Sequence, residues 1–97
     1  MSSVMGSIAL NAEGGDYIYR SSKTALNSVT KTLSIELKTK GIAVIALHPG
    51  WVKTDMGGHN AETDVTTSTR GLYKVLDHVT IKDTGKFLSY QDKELPW

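Results

Sequence analysis

The sequence contains no cysteine, which excludes disulfide bonds and thiolate metal sites. It also lacks a long hydrophobic run, because the longest apolar stretch covers only residues 42–47 and is far too short to span a bilayer. No basic start followed by an apolar stretch is present, so we expect no signal peptide. These absences favour a cytoplasmic protein with no membrane partner.

An excess of charge of one sign is absent as well, since eleven lysines and arginines face ten aspartates and glutamates. The basic residues are spread along the chain, so no nucleic-acid partner is predicted. The three histidines, His48, His59 and His78, show no metal-ligand spacing, and no metal site is predicted. A chain of 97 residues suits one small domain with one core.

A long amphipathic helix is predicted from about residue 17 to residue 40. Four apolar residues recur there at spacings of three and four, and they form one stripe: Leu26, Val29, Leu33 and Leu37. Asp16 is the predicted N-cap of this helix, and Gly41 is its predicted terminator.

The segment IAVIALHPG, which starts at Ile42, is continuously apolar until Pro49 and Gly50 stop it. A short run without alternation predicts a strand that is buried on both faces, as in a parallel sheet. A mobile loop is predicted over residues 51–63, followed by a turn at residues 83–85 and a last strand in KFLSY. Between that loop and that turn, a second helix over about residues 64–78 carries one apolar side: Val65, Leu72, Val75, Leu76 and Val79.

The segment SSVMGS near the N-terminus suits the end of a strand that runs into a loop. The predicted order is then strand end, helix, strand, loop, helix, strand, which is typical of an α/β fold with a parallel sheet. Three such strands leave at least one sheet edge uncovered. We therefore expect residues 1–97 to form a single partial domain.

Tyr19 and Lys23 are four residues apart at the start of the first helix, so their side chains should project from one face. A tyrosine ordinarily loses its proton at about pH 10. A lysine cation and a helix N-terminus beside it are expected to lower that pKa, because both stabilise the phenolate. The pair is thus a candidate general acid and base, although the spacing alone also arises by chance. Tyr17 has no lysine four residues later and is expected to point elsewhere.

Three further stretches carry a resemblance to a known family: GGDYIYRSSKTALNSVTKTLSIEL from Gly14, GIAVIALHPGWVKTDMGG from Gly41, and GKFLSYQDKELPW from Gly85. Together with SSVMGS, they resemble the short-chain dehydrogenase/reductase family, and within it the carbonyl reductases of the sniffer and C-factor type. The resemblance covers essentially the whole chain. It implies the C-terminal portion of a Rossmann-type doubly wound parallel sheet.

The resemblance also implies a catalytic role for three matching residues. Tyr19 would give a proton to the carbonyl oxygen, or take one from the alcohol in the reverse direction. Lys23 would hold the nicotinamide ribose and depress the pKa of the tyrosine. Ser3 would donate a hydrogen bond to the substrate oxygen, with Ser2 and Ser7 as alternatives because the distance from serine to tyrosine varies in the family.

At the end of the second strand, the resemblance implies a coenzyme site. Besides Tyr19 and Lys23, the implied coenzyme-binding residues are Pro49, Gly50, Trp51, Val52 and Thr54. Residues 57–63 match the family's substrate lid, where glycines permit movement. Trp51 is also a candidate for the wall of the substrate pocket or for plain packing.

The phosphate-binding loop of a dinucleotide fold is not found. Neither pair of glycines, at residues 14–15 and 57–58, follows a strand and opens a helix as that loop requires. The resemblance therefore implies the catalytic C-terminal half of an oxidoreductase without its phosphate-binding half. It further implies NADP(H) in preference to NAD(H), a small-molecule carbonyl or alcohol substrate, and a homodimer or homotetramer by analogy.

Two other interpretations bear on the chain. We expect residues 1–97 alone to be inactive as a reductase, because the pyrophosphate and adenine contacts are missing. The chain could then be a truncated, non-catalytic form or a fragment that binds a partner through its helices. A serine hydrolase is disfavoured, since no Gly-x-Ser-x-Gly elbow is present.

Overall fold

A computed structural model describes all residues, 1–97. Its regular elements are two helices and two strands: α1 (Tyr17–Lys38), β1 (Ala46–His48), α2 (Val65–His78) and β2 (Phe87–Ser89). Single turns of 3-10 helix lie at Val4–Gly6 and Ile81–Asp83. The α/β class with parallel strands is confirmed, and only a partial sheet is present.

The two helices begin within a residue of their predicted starts, but their first turns are capped differently. The Asp64 carboxylate accepts a hydrogen bond from the Thr67 backbone N–H at 2.6 Å, which satisfies one unpaired donor of α2. Asp16 occupies the N-cap position of α1, yet its side chain makes no capping bond. Its backbone is left-handed, with φ of 47°, whereas a capping side chain needs an extended backbone. At the other end, α1 stops at Lys38, and Gly41 follows with φ of 72°.

The strands are shorter than predicted. They pair in parallel over three residues each, in the register Ala46 with Phe87, Leu47 with Leu88 and His48 with Ser89. The apolar residues before Ala46 lie outside the strand because a strand extends only as far as its partner does. Val44 bonds instead to the turn before β2, where its carbonyl accepts from Gly85 N–H at 2.8 Å.

The N-terminal segment, predicted as a strand end, is not a strand in the structure. Ser2 N–H donates to the Leu47 carbonyl at 2.7 Å, on the edge of β1 that faces away from β2. The chain then turns at once into the 3-10 turn Val4–Gly6. A single ladder bond is too little for a strand, but it sets this segment beside β1, where the predicted sheet places it.

The core lies between the two strands and α2. Its buried centre is formed by Leu47, Val75 and Leu88, and the residues packed against it are Ile45, Leu72 and Val79. Two residues of the predicted apolar side of α2, Val65 and Leu76, are exposed. Leu76 is rotated by about 100° from the buried Val75. The buried face of α2 is therefore narrower than the apolar pattern predicts.

The buried face of α1 is polar. Its buried residues are Asn27, Thr30 and Ser34, whereas three residues of the apolar stripe, Leu26, Val29 and Leu33, are 36% to 54% exposed. Short hydrogen-bonding side chains thus hold α1 on the rest of the chain. Neither helix combines the length and the apolar character that crossing a membrane requires.

Candidate functional site

An open groove of about 860 Å³ lies where the N-terminal turn, the start of α1 and the carboxyl end of β1 meet. Ligands of open parallel sheets bind at this end of the strands. Seven of the eight residues that the sequence predicts for the site line the groove: Ser3, Tyr19, Pro49, Gly50, Trp51, Val52 and Thr54. The eighth, Lys23, is not among the lining residues.

Ser3 lies at the N-cap of the 3-10 turn, and its Oγ accepts a hydrogen bond from Met5 N–H at 3.2 Å. Its own hydroxyl hydrogen has no partner in the structure, so it is available for donation. Neither alternative serine combines an available hydroxyl hydrogen with a position in the groove. The Ser2 hydroxyl donates to Asn27 Oδ1 at 2.6 Å, and Ser7 does not line the groove.

The turn that carries Ser3 is docked tightly on α1. The Asn27 amide accepts from Ser2 through Oδ1 and donates through Nδ2 to the Gly6 carbonyl at 3.2 Å. The Thr24 hydroxyl lies 2.9 Å from the same carbonyl and 2.9 Å from the Arg20 carbonyl, and its one hydrogen is shared between them. A Cβ on Gly6 would lie 2.8 Å from backbone and side-chain carbons of Lys23, closer than real contacts allow. Because residue 6 is a glycine, the turn that carries Ser3 (hereafter the serine turn) can pack directly against the part of α1 that carries Lys23.

Tyr19 and Lys23 lie together, as their spacing requires. The Lys23 ammonium is over the face of the Tyr19 ring, 5.7 Å from the ring centre, which is within the range of a cation–π contact. The same ammonium is 3.5 Å from the Met1 carbonyl. Tyr19 is 38% exposed at the groove, whereas Tyr17 is 84% exposed and lies outside it.

The Pro49–Gly50 wall of the groove is fixed by neighbouring elements. The Ser68 hydroxyl of α2 donates to the Pro49 carbonyl at 2.6 Å. Gly50 has φ of 85°, and a Cβ there would lie 2.6 Å from the Tyr90 ring. Both the backbone conformation and the close approach of the ring require glycine at this position.

The loop over residues 51–63 is held at its base. Lys53 N–H donates to the Thr63 carbonyl at 2.8 Å, and Thr63 N–H donates to the Trp51 carbonyl at 3.1 Å. The Trp51 indole N–H donates to the Gly57 carbonyl at 2.8 Å. Thr54 Oγ1 accepts from Gly57 N–H at 3.1 Å. Two predicted coenzyme-binding residues, Trp51 and Thr54, thus also shape the loop that was predicted to be the lid.

His48 has a contact at the site that the sequence analysis did not foresee. Its Nδ1 accepts a hydrogen bond from Val4 N–H at 3.2 Å. The imidazole is partly buried, and this burial lowers the pKa of His48. The one available signal was its place directly before Pro49, at the end of the apolar strand. No group of three or more side chains able to hold a metal ion occurs in residues 1–97.

The lining of the groove combines hydroxyl groups with apolar side chains. The groove offers the hydroxyls of Ser3 and Tyr19 beside apolar side chains such as Val52 and Leu72, and its lining holds no lysine or arginine. Without a lysine or arginine, the lining offers an anion only hydroxyls and backbone N–H groups.

Comparisons with known proteins agree with this geometry. A model of the short chain dehydrogenase family matches residues 1–65. The C-signal protein of Myxococcus xanthus is 44% identical over 97 residues, which cover 100% of this chain and 58% of that protein. A 1-hydroxy-2-glutathionyl-2-methyl-3-butene dehydrogenase of Rhodococcus sp. is 34% identical over 101 residues, covering 100% of this chain and 45% of that protein.

Two solved structures are similar over nearly the whole chain. The carbonyl reductase Sniffer of D. melanogaster has a TM-score of 0.97 and 48% identity, covering 100% of this chain and 39% of that chain. An NADPH-bound carbonyl reductase from chicken fatty liver has a TM-score of 0.89 and 43% identity, covering 99% and 40%. The chain belongs to the short-chain dehydrogenase family, and it spans about half the length of the curated relatives it matches.

Proposed function

We propose that residues 1–97 form the catalytic half of an NADP(H)-dependent oxidoreductase that reduces a small-molecule carbonyl or oxidises the corresponding alcohol. The observation that carries this proposal is the convergence of Ser3, Tyr19 and Pro49–Gly50 on one groove at the carboxyl end of β1. NADP(H) is preferred over NAD(H) because solved relatives include reductases with NADPH or NADP bound.

The proton chemistry would fall to Tyr19. When bound, the coenzyme supplies or accepts a hydride at the substrate carbon. The Tyr19 hydroxyl donates its proton to the carbonyl oxygen as charge builds there, and takes the proton back during oxidation. The Lys23 ammonium over the ring favours the negative charge that the departing proton leaves behind.

Ser3 would hold the same oxygen by a hydrogen bond. Its hydroxyl already accepts from Met5 N–H, which orients the oxygen and leaves the hydrogen for an outside acceptor. A donor fixed in advance stabilises developing negative charge without a cost of reorganisation. Ser2 is less suited to this role because its hydroxyl is committed to Asn27.

The phosphates and adenine would have to be bound outside this chain's groove, whose lining holds no cationic lysine or arginine. Residues 1–97 alone should therefore bind the coenzyme weakly and reduce carbonyls poorly or not at all. A cytoplasmic location and a homodimer or homotetramer stay predictions.

The test is a chimera in which residues 1–97 replace the matching part of the D. melanogaster Sniffer reductase, with NADPH oxidation followed against a reactive diketone or quinone. We expect activity that Tyr19→Phe lowers by about 10²- to 10⁴-fold, the usual contribution of a general acid. Tyr17→Phe, a matched change outside the groove, should leave the rate unchanged.

Two results would contradict the proposal. One is a chimera that is folded by circular dichroism yet inactive, or equally active after Tyr19→Phe. The other concerns the isolated chain: NADPH oxidation by the purified 97 residues, abolished by Tyr19→Phe, would show that no further coenzyme contacts are needed.

A further inference from the structure

We propose that His48 is a positioning residue for the Ser3 hydroxyl and that it acts through the backbone of Val4. This inference rests on the proposed function, since Ser3 matters only if it holds a substrate oxygen. His48 also lines the groove, but the role proposed for it requires no contact with substrate.

The argument starts from how β1 holds the serine turn. The two residues that flank Ser3 each donate a backbone N–H to β1. Ser2 donates to the Leu47 carbonyl at 2.7 Å, and Val4 donates to His48 Nδ1 at 3.2 Å. The first bond joins backbone to backbone and survives any side-chain substitution. The second depends entirely on the imidazole, so His48 is the one side chain of β1 that fixes the backbone after Ser3.

The state of the imidazole fits an acceptor. A nitrogen that accepts from an N–H must itself carry no proton, so the neutral ring has its proton on Nε2. Burial disfavours the charged imidazolium and lowers the pKa of His48, which keeps the accepting form populated at neutral pH. A charged imidazolium would place a second N–H against the Val4 N–H and break the contact.

His48 is also well anchored to serve as a reference point. Its backbone carbonyl accepts from Tyr90 N–H at 2.8 Å, so the residue is fixed by the chain after β2. Pro49, the first residue of the proposed coenzyme wall, follows it directly. One hydrogen bond of the imidazole therefore links the segment that carries Ser3 to the segment that begins the proposed coenzyme wall at Pro49. Errors of about 1 Å in such a relation can cost on the order of 100-fold in rate.

The kinetic test uses the same chimera with a set of matched variants. His48→Leu keeps a comparable side-chain size but removes the acceptor, and it should lower kcat/KM by about 10- to 100-fold while the KM for NADPH changes little. His48→Asn places an amide oxygen at the δ position of the accepting nitrogen, so it should restore most of the activity. His78→Leu is the control, because that histidine is an exposed partner of Asp92 and lies outside the groove.

A double-mutant cycle asks whether the effect passes through Ser3. In a Ser3→Ala background, His48→Leu should cause no further loss, because no hydroxyl remains to be positioned. Equal losses with and without Ser3 would overturn the proposal, as would a His48→Leu variant that matches the parent. If the parent chimera is folded but inactive, or is insensitive to Tyr19→Phe, the proposed function fails and this role fails with it. If the parent chimera is active and sensitive to Tyr19→Phe, a negative result in the His48 variants contradicts the role of His48 alone.

A second measurement needs no activity. Nitrogen-15 NMR of the 97-residue chain at neutral pH should show His48 with an unprotonated Nδ1 and a Val4 amide protected from exchange. A proton on Nδ1, or a freely exchanging Val4 amide, would overturn the proposal whatever the kinetics of the chimera.

Discussion

Asn27 holds the serine turn on α1 through both ends of its amide, and replacing it should test how firmly that turn is docked. Asn27 and its partner Ser2 are only 3% and 4% exposed, so their hydrogen bond is shielded from solvent. In Asn27→Ala, the Ser2 hydroxyl loses its only acceptor. The Gly6 carbonyl loses the Asn27 bond and keeps the Thr24 hydroxyl at 2.9 Å, whose single hydrogen is shared with the Arg20 carbonyl.

The expected loss of stability has one contribution from the Ser2 hydroxyl and another from the Gly6 carbonyl. A buried donor left without a partner costs about 1–3 kcal/mol, whereas losing one of two bonds to a carbonyl costs roughly 0.5–1.5 kcal/mol. We therefore expect Asn27→Ala to lower the free energy of unfolding by about 1.5–4.5 kcal/mol. That is a large share of the roughly 5–15 kcal/mol available to a typical domain.

The assay is urea denaturation of the 97-residue chain, followed by circular dichroism and by tryptophan fluorescence. Asn60→Ala is the matched control, because Asn60 is exposed and its effect should stay within about 0.5 kcal/mol. Ser2→Ala and the double variant complete a cycle with an expected coupling of about 1 kcal/mol. An Asn27→Ala variant as stable as Asn60→Ala, or two additive single changes, would refute the docking argument.

Two further predictions concern backbone conformation and pH. Gly50→Ala should destabilise the chain by about 1–3 kcal/mol more than Gly58→Ala, since both have positive φ but only at Gly50 would a Cβ meet the Tyr90 ring; equal midpoints in urea would contradict this. The bond from Lys86 is the main cause that lowers the pKa of Asp83 from 3.8 to about 2. The stabilisation from this carboxylate is therefore complete above pH 3.8 and is lost as pH falls toward 2. The Tm difference between the parent and Asp83→Asn should shrink over that range, and a difference as large at pH 2 as at pH 5 would argue against it.

The helices could be predicted closely because their signals are local. Apolar spacing and Gly41 define α1 to within two residues, and Asp64 caps α2 from the adjacent position. The strands could not be predicted as closely, because their length depends on pairing with residues about 40 positions away. The buried polar face of α1 could not be predicted either, because an apolar stripe normally marks the side of a helix that packs.

The site divides in the same way. Seven of the residues that line the groove were predicted from motif and resemblance, Ser3, Tyr19 and Pro49 among them. The supporting contacts were not, because Asn27 and His48 reach partners 21 to 44 residues away and carry no local signature of that role. Such contacts follow from how the elements pack, which one sequence read locally does not contain.

The docking of the serine turn has a consequence for the order in which the site assembles. The bond from Asn27 to Gly6 closes a loop of 21 residues, and the bond from Val4 to His48 closes one of 44. Each doubling of loop length adds roughly 0.6 kcal/mol of closure entropy, and synthesis delivers the N-terminal elements first. We therefore expect the turn that carries Ser3 to pack on α1 before β1 is in place. The residues proposed to act on the substrate oxygen would then meet early in folding, and the wall proposed for the coenzyme would close over them last.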